Sequence, residues 1–314
     1  MIGCISTEER CTGLISQIGN FCSITSELIF EVEHGPVWEA DKINRKISFN
    51  RNEFLRNGVN NSSINRISTQ SRFGNFEARI KEFLKDSVGE NLIIDITSMP
   101  QKVLFFLCKL CLKLPLQTKN IIFTYTEPEK YDQNALVENH EAWDALPSFR
   151  LSRDSVQDRK VVIAIGYDPM GLPEQVNSSD FNEGTVSFLF PFPSHPDRVS
   201  RNWKFIRRIF PNSETRKLDI KRVDGLNIPE VYDELCGIGG YGTIALSLAP
   251  YGPKPVSLAM ALYACRYSVS PMQTGVFYNQ PLDKNPDYSI GIRFSGGIPA
   301  INCYCVRLNG INLY

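Results

Sequence analysis

Apolar and polar positions along the chain switch repeatedly between the two-residue period of a strand and the 3.6-residue period of a helix. IGCIS is a short apolar run, and Ser6 with Glu9 three residues on forms a capping-box pattern that opens a helix over TEERCTGLISQIG. ELIFEVEHG alternates apolar and acidic residues as a half-exposed strand does. Helices are expected around VWEADKINRK and over FGNFEARIKEFLKDSVG. NLIIDI then predicts a buried strand, VLFFLCKLCLKL a strongly apolar helix and KNIIFTY a second buried strand. Strands alternating with helices in this way build a mainly parallel sheet covered on both faces.

YDQNALVENHEAWDALPSFRLSRDSVQDRK breaks the rhythm with polar and charged residues, which places the domain connection there. The same plan then restarts. VVIAIGYDP and GTVSFLFPFP are strands, PDRVSRNWKFIRRIF is a helix with Pro196 in its first turn, and PEVYDELCGI is another helix. TIALSLAPYGPKPVSLAMALYAC repeats strand, proline-bearing loop and apolar helix, and TGVFYNQP is a closing strand. The predicted fold class is therefore α/β, with two tandem Rossmann-like domains, residues 1–150 and 151–314, each built on a mainly parallel sheet. The tail YSIGIRFSGGIPAINCYCVRL adds a β-hairpin turning at Ser295, Gly296 and Gly297. Shared element order, and a proline–lysine loop after the third predicted strand of each half, suggest an internal duplication.

Composition narrows the function classes. A chain of 314 residues supports two cores. Its 34 basic and 34 acidic side chains cancel, so no global field draws in duplex DNA or an anionic membrane, and any anion site must be local. MIGCISTEERC lacks the basic and apolar regions of a secretory signal, and no apolar run reaches the roughly 20 residues that span a bilayer. Together with nine scattered cysteines, an odd number that suits reduced thiols, this points to a cytoplasmic protein.

The candidate chemistry lies in loops at the carboxyl ends of the strands, where open α/β sheets bind ligands. Thr97, Ser98 and Lys102 in one half, and Tyr251, Gly252 and Lys254 in the other, sit before helix N-termini, whose free N–H groups and partial positive charge suit phosphate or carboxylate. Tyr125, Tyr131, Tyr278 and Tyr288 flank these loops and are candidates to stack on bases. A plain helix start competes: Ser98 with Gln101 forms a capping box, and Gly252–Pro253 an N-cap and N1 pair. Arg198, Arg201, Lys204, Arg207 and Arg208 give one helix a basic face beside Trp203 and Phe210, either a polyanion grip or a solvated surface.

Catalysis has thinner support. Asp95 ends a buried strand, and Glu127 and Glu129 end the neighbouring one, which makes Asp95 and Glu127 candidate acid, base or metal ligands. His34, His140 and His195 are isolated, and no Cys or His pair has a partner pair at ligand spacing, so neither metal nor cofactor is expected. No Gly-x-Ser-x-Gly elbow occurs, and GIGGYG precedes a strand where a dinucleotide fingerprint would follow one.

SLAPYGPKPVSLAMALY resembles the strand, loop and helix of CARF-type sensor domains, and DITSMPQKVLFF is similar in its Asp, Thr and Lys. The resemblance implies a sensor that holds a signalling oligonucleotide between two Rossmann-like domains in prokaryotic antiviral defence, here with both halves in one chain. The expected function is a non-catalytic sensor of an anionic, nucleotide-like ligand acting through a protein partner. The alternatives are a nucleotide- or phosphoester-processing enzyme using Asp95 and Glu127, and a scaffold subunit of a complex.

Overall fold

The computed structural model describes residues 1–33, 39–68, 73–86, 89–114, 118–132, 137–150, 159–166, 168–178, 185–192, 196–214, 217–268 and 274–314. The chain divides into two compact units. Met1–Val103, Leu110–Glu138 and Leu282–Leu313 form the first; Leu104–Lys109, Asn139–Pro281 and Tyr314 form the second. Both are α/β, and both carry the mainly parallel, Rossmann-like sheet expected from the strand–helix rhythm.

In the first unit β1 (Ile2–Ile5), β2 (Leu28–Glu33), β3 (Ile64–Ser68), β4 (Asn91–Asp95) and β5 (Asn120–Thr126) run parallel in the order β3-β2-β1-β4-β5. Helices α1 (Ile15–Ile18), α2 (Ala40–Arg56), α3 (Gly74–Asp86) and α4 (Gln101–Cys111) occupy the crossovers. Central strands read as unbroken apolar runs because both of their faces are covered, and Ile2, Ile5, Phe30, Ile94 and Phe123 are fully buried. Two short strands, β6 (Lys130–Tyr131) and β7 (Val137–His140), lead out of the unit.

The second unit repeats the order. After the two-residue β8 (Asp144–Ala145), strands β9 (Arg159–Ala164), β10 (Val186–Pro191), β11 (Asp219–Val223), β12 (Ala245–Pro250) and β13 (Gly275–Tyr278) lie as β11-β10-β9-β12-β13, and β8 pairs antiparallel with β13. The helices are α5 (Leu172–Ser178), α6 (Pro196–Ile209), α7 (Ile228–Ile238) and α8 (Lys254–Arg266). Apolar on every side, α8 is buried from Pro255 to Ala264.

Three expectations need correction. The sequence shows only four strands per half, whereas β3 and β11 are additional: each has one strand neighbour, and their polar sequences, INRIS and DIKRV, follow neither a buried nor an alternating pattern. The lysine loops therefore follow the fourth strand of each sheet. The helix expected after β1 is two short turns, a 3-10 segment at Glu9–Thr12 and α1; between them Gly13 packs so closely on Thr126 that a Cβ would lie 2.5 Å from its methyl carbon. Finally, the tail assigned to residues 151–314 returns to the first unit through β14 (Pro281–Lys284). There β15 (Ser289–Ile290) pairs with β6, and β16 (Phe294–Ser295) and β17 (Ile298–Pro299) form the expected hairpin over Gly296 and Gly297, at φ 60° and 81°. β18 (Ile301–Leu308) then adds antiparallel to β5 and turns into β19 (Ile311–Asn312). β5 is buried along most of its length, so without β18 its outer edge would leave backbone groups unpaired in an apolar setting.

Arg307 of β18, 2 % exposed, locks this addition. Its guanidinium donates to the carbonyls of Leu112 at 3.0 Å, Leu114 at 2.9 Å and Thr118 at 3.4 Å, and through Nε to Asn312 Oδ1 at 2.7 Å. Carbonyls beyond the end of α4 thereby gain donors that the helix cannot supply. Arg307→Met keeps the apolar stem and strands those acceptors, and should lower the urea-unfolding free energy by roughly 3 kcal/mol. A loss within about 0.5 kcal/mol, as for an ordinary surface substitution, would show that the tail is held by strand pairing alone.

Candidate functional site

The order 3-2-1-4-5 reverses direction between the first and fourth strands, and the loops there flank the crevice in which such sheets bind ligands. In the first unit those loops follow β1 and β4. They are filled by the protein's own polar groups.

Ser6, Thr7, Glu8 and Arg10 leave β1 and are all buried. Glu8 Oε2 takes Arg10 Nε at 2.9 Å and its second terminal nitrogen at 2.7 Å. The first terminal nitrogen of Arg10 donates to Tyr125 OH at 2.9 Å and to the Thr126 carbonyl at 3.5 Å, at the end of β5. The guanidinium lies 5.3 Å from the Tyr125 ring centre and 5.8 Å from that of Tyr131, and the two tyrosine hydroxyls are 3.2 Å apart. Burial opposes the Arg10 charge, but Glu8 and the two tyrosines outweigh it, holding its pKa well above the ordinary guanidinium value.

The tail crosses this same edge. Ser289 Oγ donates to Glu8 Oε2 at 2.7 Å, and Tyr288 packs edge-on against Tyr131. Lys42 and Lys46 of α2 both pair with Asp287, and Arg293 pairs with Glu127 at 2.9 Å. Burial would raise the Asp287 pKa; hydrogen bonds from the two lysines lower it overall.

Asp95 closes the β4 side. Its Oδ1 accepts from the Thr97 amide at 3.1 Å, the Thr97 hydroxyl and the Thr124 hydroxyl at 3.4 Å, while Thr97 Oγ1 accepts the Thr126 amide at 2.9 Å. Burial pushes the carboxyl up to about 6, against these hydrogen bonds and Arg10. Thr97 is thus a strut between β4 and β5. Ser98 donates to the Cys4 carbonyl at 3.0 Å, so its hydroxyl ties β4 to β1 instead of capping α4. Lys102, the second residue of α4, is 8 % exposed.

In the second unit close packing replaces charge at the equivalent point. A Cβ on Gly166 would lie 1.9 Å from the Tyr251 carbonyl oxygen, and one on Gly252 would lie 3.1 Å from Ala164 Cβ and 3.2 Å from the Ile165 oxygen. Glycine at 252 is there for loop-on-loop packing, while Pro253 serves as the N-cap and Lys254 opens α8. Tyr251 donates to Asn279 Oδ1, and Asn279 Nδ2 donates to the Glu141 carbonyl at 3.1 Å. The Tyr251 ring packs between Phe205, at 5.9 Å, and Tyr278, at 5.1 Å.

The structure therefore joins Asp95, Thr97 and Tyr125 through β5, Thr97 reaching the Thr126 amide and Tyr125 reaching Arg10, and it joins Tyr251 with Tyr278. Glu127 is separately engaged by Arg293 and Asn302 Nδ2, the latter at 3.2 Å. His34 and His195 lie outside the described residues, and His140 Nδ1 is 2.9 Å from the Glu141 carbonyl. On α6, Trp203 and Phe210 pack against Phe190 and Phe188 of β10. Arg207 donates to the Ser213 carbonyl, and Arg208 pairs with Asp168 at 3.1 Å. In GIGGYG, Gly237 and Ile238 end α7, and Gly240, Tyr241 and Gly242 form a tight turn, all at positive φ. All nine cysteines are free thiols, and no group of three His, Cys, Asp or Glu suited to a metal occurs among the described residues. Nor is any helix among them long and apolar enough to cross a membrane. Glu8 and Arg10 were not legible in the sequence because the three charges in TEER look like the solvated start of a helix.

The Asp95 carboxyl has a distinct pH signature. Its folded pKa of about 6 exceeds the unfolded value of about 3.9, so the folded state holds the extra proton between these values and its contribution declines as pH rises through that window. Asp95→Asn keeps an Oδ1 acceptor for all three donors. The variant should gain on the native protein by up to about 3 kcal/mol between pH 4 and pH 7, in urea unfolding at each pH. A difference that stays constant with pH would mean that Asp95 ionises as in water. No family model matches the chain, and no curated protein matches it either.

Proposed function

We propose that the chain is a non-catalytic binding module for an anionic, nucleotide-like ligand and passes the binding event to a protein partner. One observation carries this reading. In each unit a lysine stands within the first two residues of the helix that follows the fourth strand, Lys102 in α4 and Lys254 in α8, where the strand order reverses. Helix N-terminal amides and a lysine at that point suit phosphate oxygens. The resemblance of the two loops to CARF-type sensor domains favours a signalling oligonucleotide, and with it a place in prokaryotic antiviral defence.

The Arg10–Glu8 pair supplies a switch for such a module. A phosphate reaching Arg10 competes with the Glu8 carboxylate, and Glu8 also holds Ser289 of the tail. Displacing Glu8 would loosen the tail segment, and that differential contact is what a ligand needs to shift a two-state equilibrium. The Asp95 pKa of about 6 favours a second reading, acid–base catalysis on a nucleotide or phosphoester. Against it, Asp95 Oδ1 already takes three donors, and Glu127 takes Arg293 and Asn302.

Mass spectrometry of small molecules released from the purified protein, followed by thermal shift with cyclic and linear oligonucleotides, tests the reading. A binding ligand at about a hundredfold excess over its Kd should raise Tm by roughly 5 °C and be recovered intact. Lys102→Met and Lys254→Met should each reduce the shift. Ligand consumption that disappears in Asp95→Asn would establish the enzyme reading instead, and an unchanged shift in both lysine variants would remove the proposed site.

A further inference from the structure

β3 is the outermost strand of the first sheet. It pairs with β2 along its whole length, from Ile29↔Ile64 to Glu33↔Ser68, and among the described residues no strand pairs with its other side. In a strand bonded on one side only, alternate residues direct both N–H and C=O outward. A groove of about 680 Å³ runs beside that edge, lined by all five β3 residues and by Asn75, Ala78, Arg79 and Glu82 of α3. These four positions recur at i, i+3, i+4 and i+7, so one polar face of α3 forms the far wall, while Phe76, Ile80 and Phe83 anchor the helix in the core.

Such edges are a liability that sheets usually blunt with charge, bulges or cover. The equivalent margin in the second unit is blunted: β11 carries Asp219 paired with Lys221 at 3.2 Å, followed by Arg222 over the Phe192 ring. β3 is different. Only Arg66 is exposed, Ile67 is buried, and Ile64, Asn65 and Ser68 are half-buried along the groove. A backbone edge that no described strand covers, partly sheltered side chains and a flanking helix make the geometry of strand addition.

Charge selects the occupant. Arg66 uses Nε on the buried Glu31 carboxylate at 2.8 Å, yet its side chain is 63 % exposed, and Arg79 makes only a long 3.4 Å contact with Glu82. Glu31 is shared with Arg51, so three guanidinium groups, two of them in the groove lining, meet the two carboxylates of Glu31 and Glu82. We propose that the β3–α3 groove is a docking site for an extended, acidic segment of a partner protein, which adds to the seven-stranded sheet as an eighth strand beyond β3 and sets its carboxylates against Arg66 and Arg79. This site does not depend on the anion-binding reading of the strand ends.

Selection of a random peptide display library on the full chain tests it, with Ala78→Tyr as the counter-target. Ala78 is exposed on α3, so tyrosine fills the groove without entering the core. Peptides enriched on the native protein should combine β-branched and acidic residues at alternating positions and bind the Ala78→Tyr and Arg79→Glu variants at least about tenfold more weakly. Methylating the amides of alternate residues of the best peptide should cost a similar factor in one of the two registers, because strand addition depends on backbone donors. No enrichment over Ala78→Tyr, selection of basic peptides, or equal binding after amide methylation in both registers would overturn the proposal. Concentration-dependent dimers abolished by Ala78→Tyr would also overturn it, by making a second copy of the chain the occupant.

Discussion

The first unit depends on a buried ion pair at the place where its sheet would otherwise open. Arg10 is 3 % and Glu8 4 % exposed, two residues apart on the loop after β1, and together they reach β5 and the tail. Taking both charges out of water costs several kcal/mol per ion, repaid only where the remaining donors and acceptors are satisfied. The structure meets that condition: Arg10 has Glu8, Tyr125 and the Thr126 carbonyl, and Glu8 has Arg10 and Ser289. Such a pair resists the loss of either partner, because the remaining charge would stay buried and uncompensated. Here it fixes how the loop after β1, the end of β5 and the returning tail meet.

The two units share a strand order and differ in how that edge is completed. Charge and hydrogen bonding complete it in the first, through Arg10, Asp95 and Thr97. Close loop packing completes it in the second, where only glycine fits at 166 beside the Tyr251 carbonyl. The outer flank of the fifth strand differs as well, since an eight-residue β18 covers β5 and a two-residue β8 meets β13. Equal topology therefore does not make equal sites.

Much of the fold was legible because buried parallel strands and their helices leave an unbroken apolar signature: NLIIDI, KNIIFTY, VVIAI and SLAMALYA all lie where that signature puts them. Strands with one neighbour leave no such mark, which is why INRIS and DIKRV escaped. The destination of the tail was hidden for another reason, since β18 pairs with β5 across about 180 residues of intervening chain and no local pattern records a partner so distant. At the site, Asp95 and Thr97 were found but their roles were not. Spacing cannot distinguish a threonine that waits for phosphate from one whose hydroxyl bridges Asp95 and the Thr126 amide. Gly252 shows the same limit: before Pro253 it looks like a helix cap, yet it is required by contact with Ala164 and Ile165 from another strand end.

The central claim, that Glu8 and Arg10 act as one unit, is tested most directly by a double-mutant cycle on unfolding free energy. Arg10→Met leaves a buried carboxylate and Glu8→Gln a buried guanidinium, so each should cost about 3–5 kcal/mol. The double variant should cost markedly less than the sum, with a coupling of roughly 2 kcal/mol or more. Additive losses within about 0.5 kcal/mol would contradict the account, because the two side chains would then hold the edge independently.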